Sequence, residues 1–265
     1  MSAPLLELNR VTVMRGNRAA LKDVTLRIEA GEHVCILGPN GCGKSTLIKT
    51  ITRECYPLAR EDSSMSILGR ERWDVFELRN LLGIVSPDLL VACTTDATGR
   101  DVVLSGFFSS TRIFPHHHPD PEHLRRTEEV LARLGISHLV DRCVMHMSSG
   151  EAKRTLIARA LVHNPQTLLF DEPSNALDIA AQFQLRDTMR ELAHHGGQAQ
   201  SGLAILLVTH HVSEIIPEIE RVILLRAGKV MADGPKESVL TEDNLQTLFS
   251  VPVCLHKHDG FFYLF

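Results

Sequence analysis

At 265 residues the chain is one large domain or two small ones, long enough to bury a full core. Its 44% hydrophobic and 23% charged residues are those of an ordinary globular protein. With 28 Lys and Arg against 32 Asp and Glu, the net charge of −4 supplies no broad electrostatic footprint for nucleic acid, and none is expected as a partner.

The first elements read as short strands. Leu6 and Leu8, then Val11 and Val13, frame a first pair, with Arg15-Gly16-Asn17 as a turn signal, and Val24–Ile28 follows. An antiparallel β-piece leading into an α/β core is the simplest reading. The apolar run Val34–Leu37 comes next, then Gly38-Pro39-Asn40-Gly41-Cys42-Gly43-Lys44-Ser45-Thr46 and a helical stretch. Ser64–Leu68 reads as a strand, Asp74–Asn80 as a helix and Leu82–Val85 as a further strand. From about Asp88 to Val162 helical signals dominate: Leu124, Leu131 and Leu134 share a helical period, with Gly135 as a stop, and Thr111–Pro121 is a His- and Pro-rich loop. Thr167–Phe170 is expected as a buried strand, Ile179–His194 as a helix and Gly196–Gly202 as a connector. Leu203–Val208 is another buried strand, and a hairpin turns at Ala227-Gly228. Strands alternating with helices predict a mainly parallel sheet.

The stretch Gly38–Thr46 fits G-x-x-x-x-G-K-[ST], in the order strand, loop, helix that a phosphate loop requires. Its backbone N–H groups would make a concave anion nest, with the positive end of the next helix dipole behind it. Gly38 and Gly43 permit angles and approaches that a Cβ would block. Lys44 would neutralise the β- and γ-phosphates of ATP, and the Ser45 hydroxyl would ligate Mg²⁺. The strand Leu168–Phe170 ends in the adjacent carboxylates Asp171 and Glu172, one suited to the Mg²⁺ shell and the other to polarising the attacking water. Taken alone, such a pair is an ordinary solvated strand end, and Ser148-Ser149-Gly150-Glu151 an ordinary helix N-cap; standing in this order behind a phosphate loop, they read as one site.

Together with Ser174-Asn175-Ala176-Leu177-Asp178 and Thr209-His210-His211, this set resembles the nucleotide-binding domain of ABC ATPases. Ser174–Asp178 resembles that family's D-loop, His210 its switch histidine, and Met147–Glu151 its signature motif, usually written LSGGQ. The resemblance implies an α/β P-loop NTPase (RecA-like) core, about 1–87 and 163–265, with an antiparallel β-subdomain at the N-terminus and an α-helical subdomain inserted at about 88–162. It also implies a head-to-tail dimer, or a paired ATPase subunit, in which Ser148 and Gly150 of one subunit close over ATP on the other.

Three positions depart from the family pattern. Arg15 stands where an aromatic residue usually stacks on adenine, and a guanidinium can lie flat on a base as well. Gly83-Ile84-Val85-Ser86-Pro87 places Pro87 where the family carries glutamine; Asp88 is the candidate replacement, its alternative role being a cap for the residues after it. Ser149 and Glu151 replace a glycine and a glutamine of the signature, leaving Ser148 and Gly150 in place.

Cys254, His256 and His258 recur at every second residue, which on a strand puts them on one face, a possible Zn²⁺ or copper set or simply a terminal strand. His116-His117-His118 is a second candidate group or a solvated loop. Six cysteines without a C-x-x-C pair read as reduced intracellular thiols. No signal peptide is visible, and no apolar run approaches the ~18 residues that span a bilayer, so the chain is expected in the cytoplasm without direct membrane insertion. The resemblance to siderophore-, metal- and molybdate-type importer ATPases, carried by Val103–Gly106 and the Leu-Phe-Ser-Val-Pro-Val stretch near residue 250, implies an ATPase subunit driving a separate permease, held at the inner face of the cell membrane. A soluble assembly or switch ATPase without a permease is the alternative.

Overall fold

The apolar residues near the N-terminus lie on one long hairpin rather than on several short strands. Strand β1 runs Leu6–Arg15 and β2 Arg18–Ile28, paired antiparallel around the Gly16 turn. The inward-facing residues of β1 change parity from Leu6 and Leu8 to Val11 and Val13, and all four are buried. The register shifts between Leu8 and Val11, and Arg10 between them has φ of 49°. A β-bulge therefore rephases the alternation, which in sequence looks like a break between two strands.

The computed structural model describes residues 3–195 and 203–265. They fall into two compact units, Met1–Val75 with Ala193–Phe265, and Phe76–Leu192. The connector expected over Gly196–Gly202 lies outside the described residues.

In the first unit β1 also pairs antiparallel with β4 (Ser64–Ile67), giving the three-stranded order β2-β1-β4. A second sheet is centred on β3 (Val34–Leu37), whose four residues are all buried. It pairs parallel with β7 (Ala204–Thr209) on one side and β8 (Arg221–Arg226) on the other, and β8 turns back antiparallel into β9 (Lys229–Pro235). Strands covered on both faces read as continuous apolar runs, as Val-Cys-Ile-Leu and Ala-Ile-Leu-Leu-Val do. The β8–β9 turn places Ala227 and Gly228 at φ of 49° and 81°, the two positive angles that a tight hairpin turn requires. Helix α1 (Lys44–Ile51) follows β3; α8 (Lys236–Val239), α9 (Glu242–Phe249) and the hairpin of β10 (Leu255–His258) and β11 (Phe261–Leu264) complete the unit.

The second unit contains the parallel pair β5 (Leu82–Val85) and β6 (Thr167–Asp171), preceded by α2 (Val75–Leu81). Between the two strands the chain is helical: α3 (Pro87–Cys93), α4 (Gly99–Leu104), α5 (Pro121–Arg133) and α6 (Ser149–Leu161). Helix α7 (Ile179–His195) follows β6. Each of α3 to α6 begins at a side-chain N-cap (Ser86, Thr98, Asp120 and Ser148), so local capping chemistry sets the starts of this helical segment. Among the described residues, no helix is long and apolar enough to cross a membrane.

Candidate functional site

The phosphate loop leaves the end of β3 next to the end of β7. Leu37 is paired with Thr209, and the Gly38 N–H donates to the Thr209 carbonyl at 3.2 Å, so Gly38 and His210 leave the sheet from adjacent strand ends. The loop is fixed from several sides. The Lys44 ammonium, 4% exposed, donates to the carbonyls of Gly38 at 2.7 Å and Pro39 at 3.1 Å. From the β8–β9 turn, the Gly228 N–H donates to the Cys42 carbonyl at 2.8 Å. A Cβ on Gly38 would sit 2.2 Å from the Leu225 carbonyl oxygen and 2.7 Å from the Cys42 Sγ. On Gly43, at φ of 116°, it would sit 2.5 Å from the Ala20 carbonyl oxygen. These glycines are demanded by the space itself.

Gly43 is also the N-cap of α1 and, having no side chain, makes no side-chain cap hydrogen bond to it. Asn40, Gly41 and Ser45 are exposed, while Cys42 and Lys44 lie beneath them; Thr46 lies in the first turn of α1. A rigid, open loop rimmed by backbone donors and backed by a helix N-terminus fits a chain of phosphates. Arg15, at the end of β1, is exposed and its guanidinium donates to the Cys55 Sγ at 3.2 Å. The rings of His210 and His211 lie with centroids 3.9 Å apart, and the His211 N–H donates to the Thr209 hydroxyl at 2.9 Å.

The second unit repeats the adjacent-strand arrangement. Val85 is paired with Phe170, so Pro87 and Asp88 leave β5 beside the point where Asp171 and Glu172 end β6. Every residue of β6 is buried, and Asp171 is 8% exposed. Glu172 is half-buried and adopts φ of 46°. At β5 the structure explains the proline: Ser86 accepts the Leu89 N–H at 3.2 Å as N-cap, and Pro87 takes the first helical position of α3, where a missing N–H costs nothing. Asp88 falls in the first turn and is not the cap. Sequence reasoning missed this helix start, although Ser-Pro-Asp before an apolar run is its signal.

The signature-like segment is a capping box. The Ser148 hydroxyl accepts the Glu151 N–H at 3.3 Å, and the Glu151 carboxylate accepts the Ser148 N–H at 2.8 Å. That backbone hydrogen bond, more than the nearby Arg142, holds the Glu151 carboxyl below its ordinary range. Gly150 faces the start of α7, where an added Cβ would lie 3.2 Å from the Ala181 Cβ. The acidic residue in place of glutamine is therefore compatible with the local structure.

Neither histidine group makes a metal centre: among the described residues no cluster of three His, Cys, Asp or Glu side chains is placed to hold a metal ion. Cys254, His256 and His258 are all exposed, along or just before β10. In the other group His117 stacks on Phe108 at 4.5 Å, and its Nδ1 accepts the Phe114 N–H at 3.2 Å. Packing and turn formation account for His117.

A glycine cradle at a parallel strand end, feeding a helix without a side-chain cap, defines an α/β phosphate-loop protein that binds nucleoside triphosphate. Residues 21–175, more than half of the chain, match the family model described as ABC transporter. Over 88% of this chain and 82% of the relative, the sequence is 35% identical to the phosphonates import ATP-binding protein PhnC 1 of Rhodopseudomonas palustris. It is 29% identical to the hemin import ATP-binding protein HmuV of Bradyrhizobium diazoefficiens, over 98% and 93%. The fold matches the ADP conformation of MJ1267, an ATP-binding cassette of an ABC transporter, with a TM-score of 0.77 at 22% identity, covering 94% of this chain and 99% of that one. The chain belongs to the ABC transporter family and is one of its ATP-binding, ATP-hydrolysing subunits.

Proposed function

We propose that this subunit powers import through a separate integral-membrane permease, ATP binding closing a head-to-tail pair of subunits and hydrolysis reopening it. The observation that carries the reading is the phosphate loop of Gly38–Thr46, held rigid by Thr209, Gly228 and Lys44 and placed at the uncapped start of α1. The import direction is supported by the names of the phosphonate and hemin relatives. The cargo class stays with the permease and its binding protein.

In this mechanism the backbone of Gly38 to Thr46 binds the phosphates and Lys44 neutralises charge on the β- and γ-groups. Glu172 accepts a proton from the attacking water, and His210 contacts the γ-phosphate from the neighbouring strand end. Ser148 and Gly150 close over the ATP of the opposite subunit, and Arg15 stacks on the adenine. The Ser45 hydroxyl and the Asp171 carboxylate are assigned to Mg²⁺, with Asp88 a further candidate; each is a hard oxygen donor of the kind that ion takes. That ion supplies charge neutralisation on the phosphates when bound. The helical segment 88–162, inserted in an α/β core of 1–87 and 163–265, is assigned to meeting the permease. With no membrane-crossing helix among the described residues, attachment to the inner face of the membrane falls to that partner.

The test is recovery of Glu172→Gln protein from its native cells in mild detergent with ATP and Mg²⁺. A polytopic membrane protein in stoichiometric amount is expected. A soluble partner, or a bare dimer absent from membranes, overturns the permease reading in favour of a soluble switch ATPase.

A further inference from the structure

The Glu172 carboxylate, on the residue after β6, is placed by a turn that starts there. Glu172 sits at φ of 46°, a region that side chains with a Cβ rarely occupy, and it does so before Pro173, where the backbone is normally extended. The conformation is held by a turn over Glu172–Asn175, in which the Asn175 N–H donates to the Glu172 carbonyl at 3.2 Å, with Pro173 in the position that suits its fixed φ. Asn175 then reaches back a second time, its Nδ2 donating to the Glu172 Oε2 at 2.9 Å. One residue thus fixes both the carbonyl and the carboxylate of Glu172. Its own place is set from the far side: the Leu177 N–H donates to the Ser174 carbonyl at 3.0 Å, and Asp178 accepts the Ala181 N–H at 2.8 Å at the start of α7.

We propose that Asn175 is the positioning residue that aims the Glu172 carboxylate in ATP hydrolysis; the proposal rests on the reading of Glu172 as the group that polarises water. The last torsion of a glutamate side chain is broad, so each hydrogen bond to the carboxylate narrows the directions it samples. An amide N–H can only donate, so the Asn175 contact directs one oxygen of the carboxylate. In the step itself water oxygen bonds to the γ-phosphorus and gives its proton to the carboxylate. The bond to the bridging oxygen breaks, and its electron pair leaves with ADP. Alignment of the accepting oxygen is what this transfer needs.

The full-length protein is assayed for kcat and KM as Asn175→Leu, Asn175→Asp and Glu172→Gln, and as the double variant Glu172→Gln/Asn175→Leu. Asn175→Leu is expected to lower kcat about tenfold, the scale of one hydrogen bond to a charged group, with KM for ATP unchanged. Asn175→Asp, nearly the same shape, replaces the amide donor with a second acceptor beside Glu172 and is expected to lower kcat at least as much, again with KM unchanged. In the Glu172→Gln background, Asn175→Leu is expected to cause no further loss. Wild-type kcat in Asn175→Leu or in Asn175→Asp, an effect confined to KM, or an equal loss in both backgrounds each overturns the proposal. If Glu172→Gln hydrolyses at the wild-type rate, the reading of Glu172 falls and the proposal with it. If that variant is inactive while both Asn175 variants behave as wild type, the positioning role alone falls.

Discussion

The adenine contact proposed for Arg15 would carry a family's task in a different chemical form. Arg15 ends β1 with an exposed guanidinium that donates to the Cys55 Sγ, in the chain position where the family usually carries an aromatic ring. Stacking of one base on a flat side chain contributes about 1–3 kcal/mol. Arg15→Ala is therefore expected to weaken ATP binding about tenfold, read by equilibrium titration; unchanged affinity removes Arg15 from the site. Among single residues, legibility in the sequence follows how local the constraint is. Gly38, Gly43 and Lys44 were legible because the phosphate loop is a contiguous motif whose steric demands follow from its shape, and the clashes a Cβ would make there agree. The contact of Asn175 with Glu172 was not legible. It depends on a left-handed angle before a proline, and local rules predict an extended residue there.

Among the elements, caps settle positions that motif comparison left open. Pro87, standing where the family carries glutamine, is the first residue of α3, with Ser86 as its cap. Glu151 looked like a changed signature and is the return half of the Ser148 capping box. Ser148→Ala removes one side-chain acceptor from the N-terminus of α6 and is expected to cost about 1 kcal/mol in urea unfolding. Glu151→Gln keeps a residue type that closes such a box and is expected to change stability by less than that, losing mainly the partly exposed Arg142 pair at 3.2 Å. Equal losses in the two variants contradict the capping account. Strands 82–85 and 167–170 and the hairpin at Ala227-Gly228 were readable because buried parallel strands and tight turns each leave a short, local mark. The bulge at Arg10 was not, since a change of parity resembles the end of a strand.

At the scale of the molecule, acid stability can be traced to a buried imidazole. Burial lowers the His163 pKa from 6.5 to about 4, although the ring nitrogen lies 3.3 Å from the Leu82 carbonyl oxygen. The folded state thus favours neutral His163, while the unfolded chain takes up the proton more readily. This contribution to stability is full above pH 6.5 and is lost as pH falls towards about 4, amounting to about 3 kcal/mol. Urea unfolding at pH 7.5 and 4.5 is expected to show a larger loss for the wild type than for His163→Gln; parallel losses would falsify the assignment. The anchoring of the phosphate loop has a further consequence, for what nucleotide binding costs. Because Thr209, Gly228 and Lys44 already hold the loop in shape, an arriving nucleotide spends little of its affinity on ordering backbone. The free energy not spent on ordering the loop remains as affinity for the phosphates, so nucleotide meets a seat already in its bound shape.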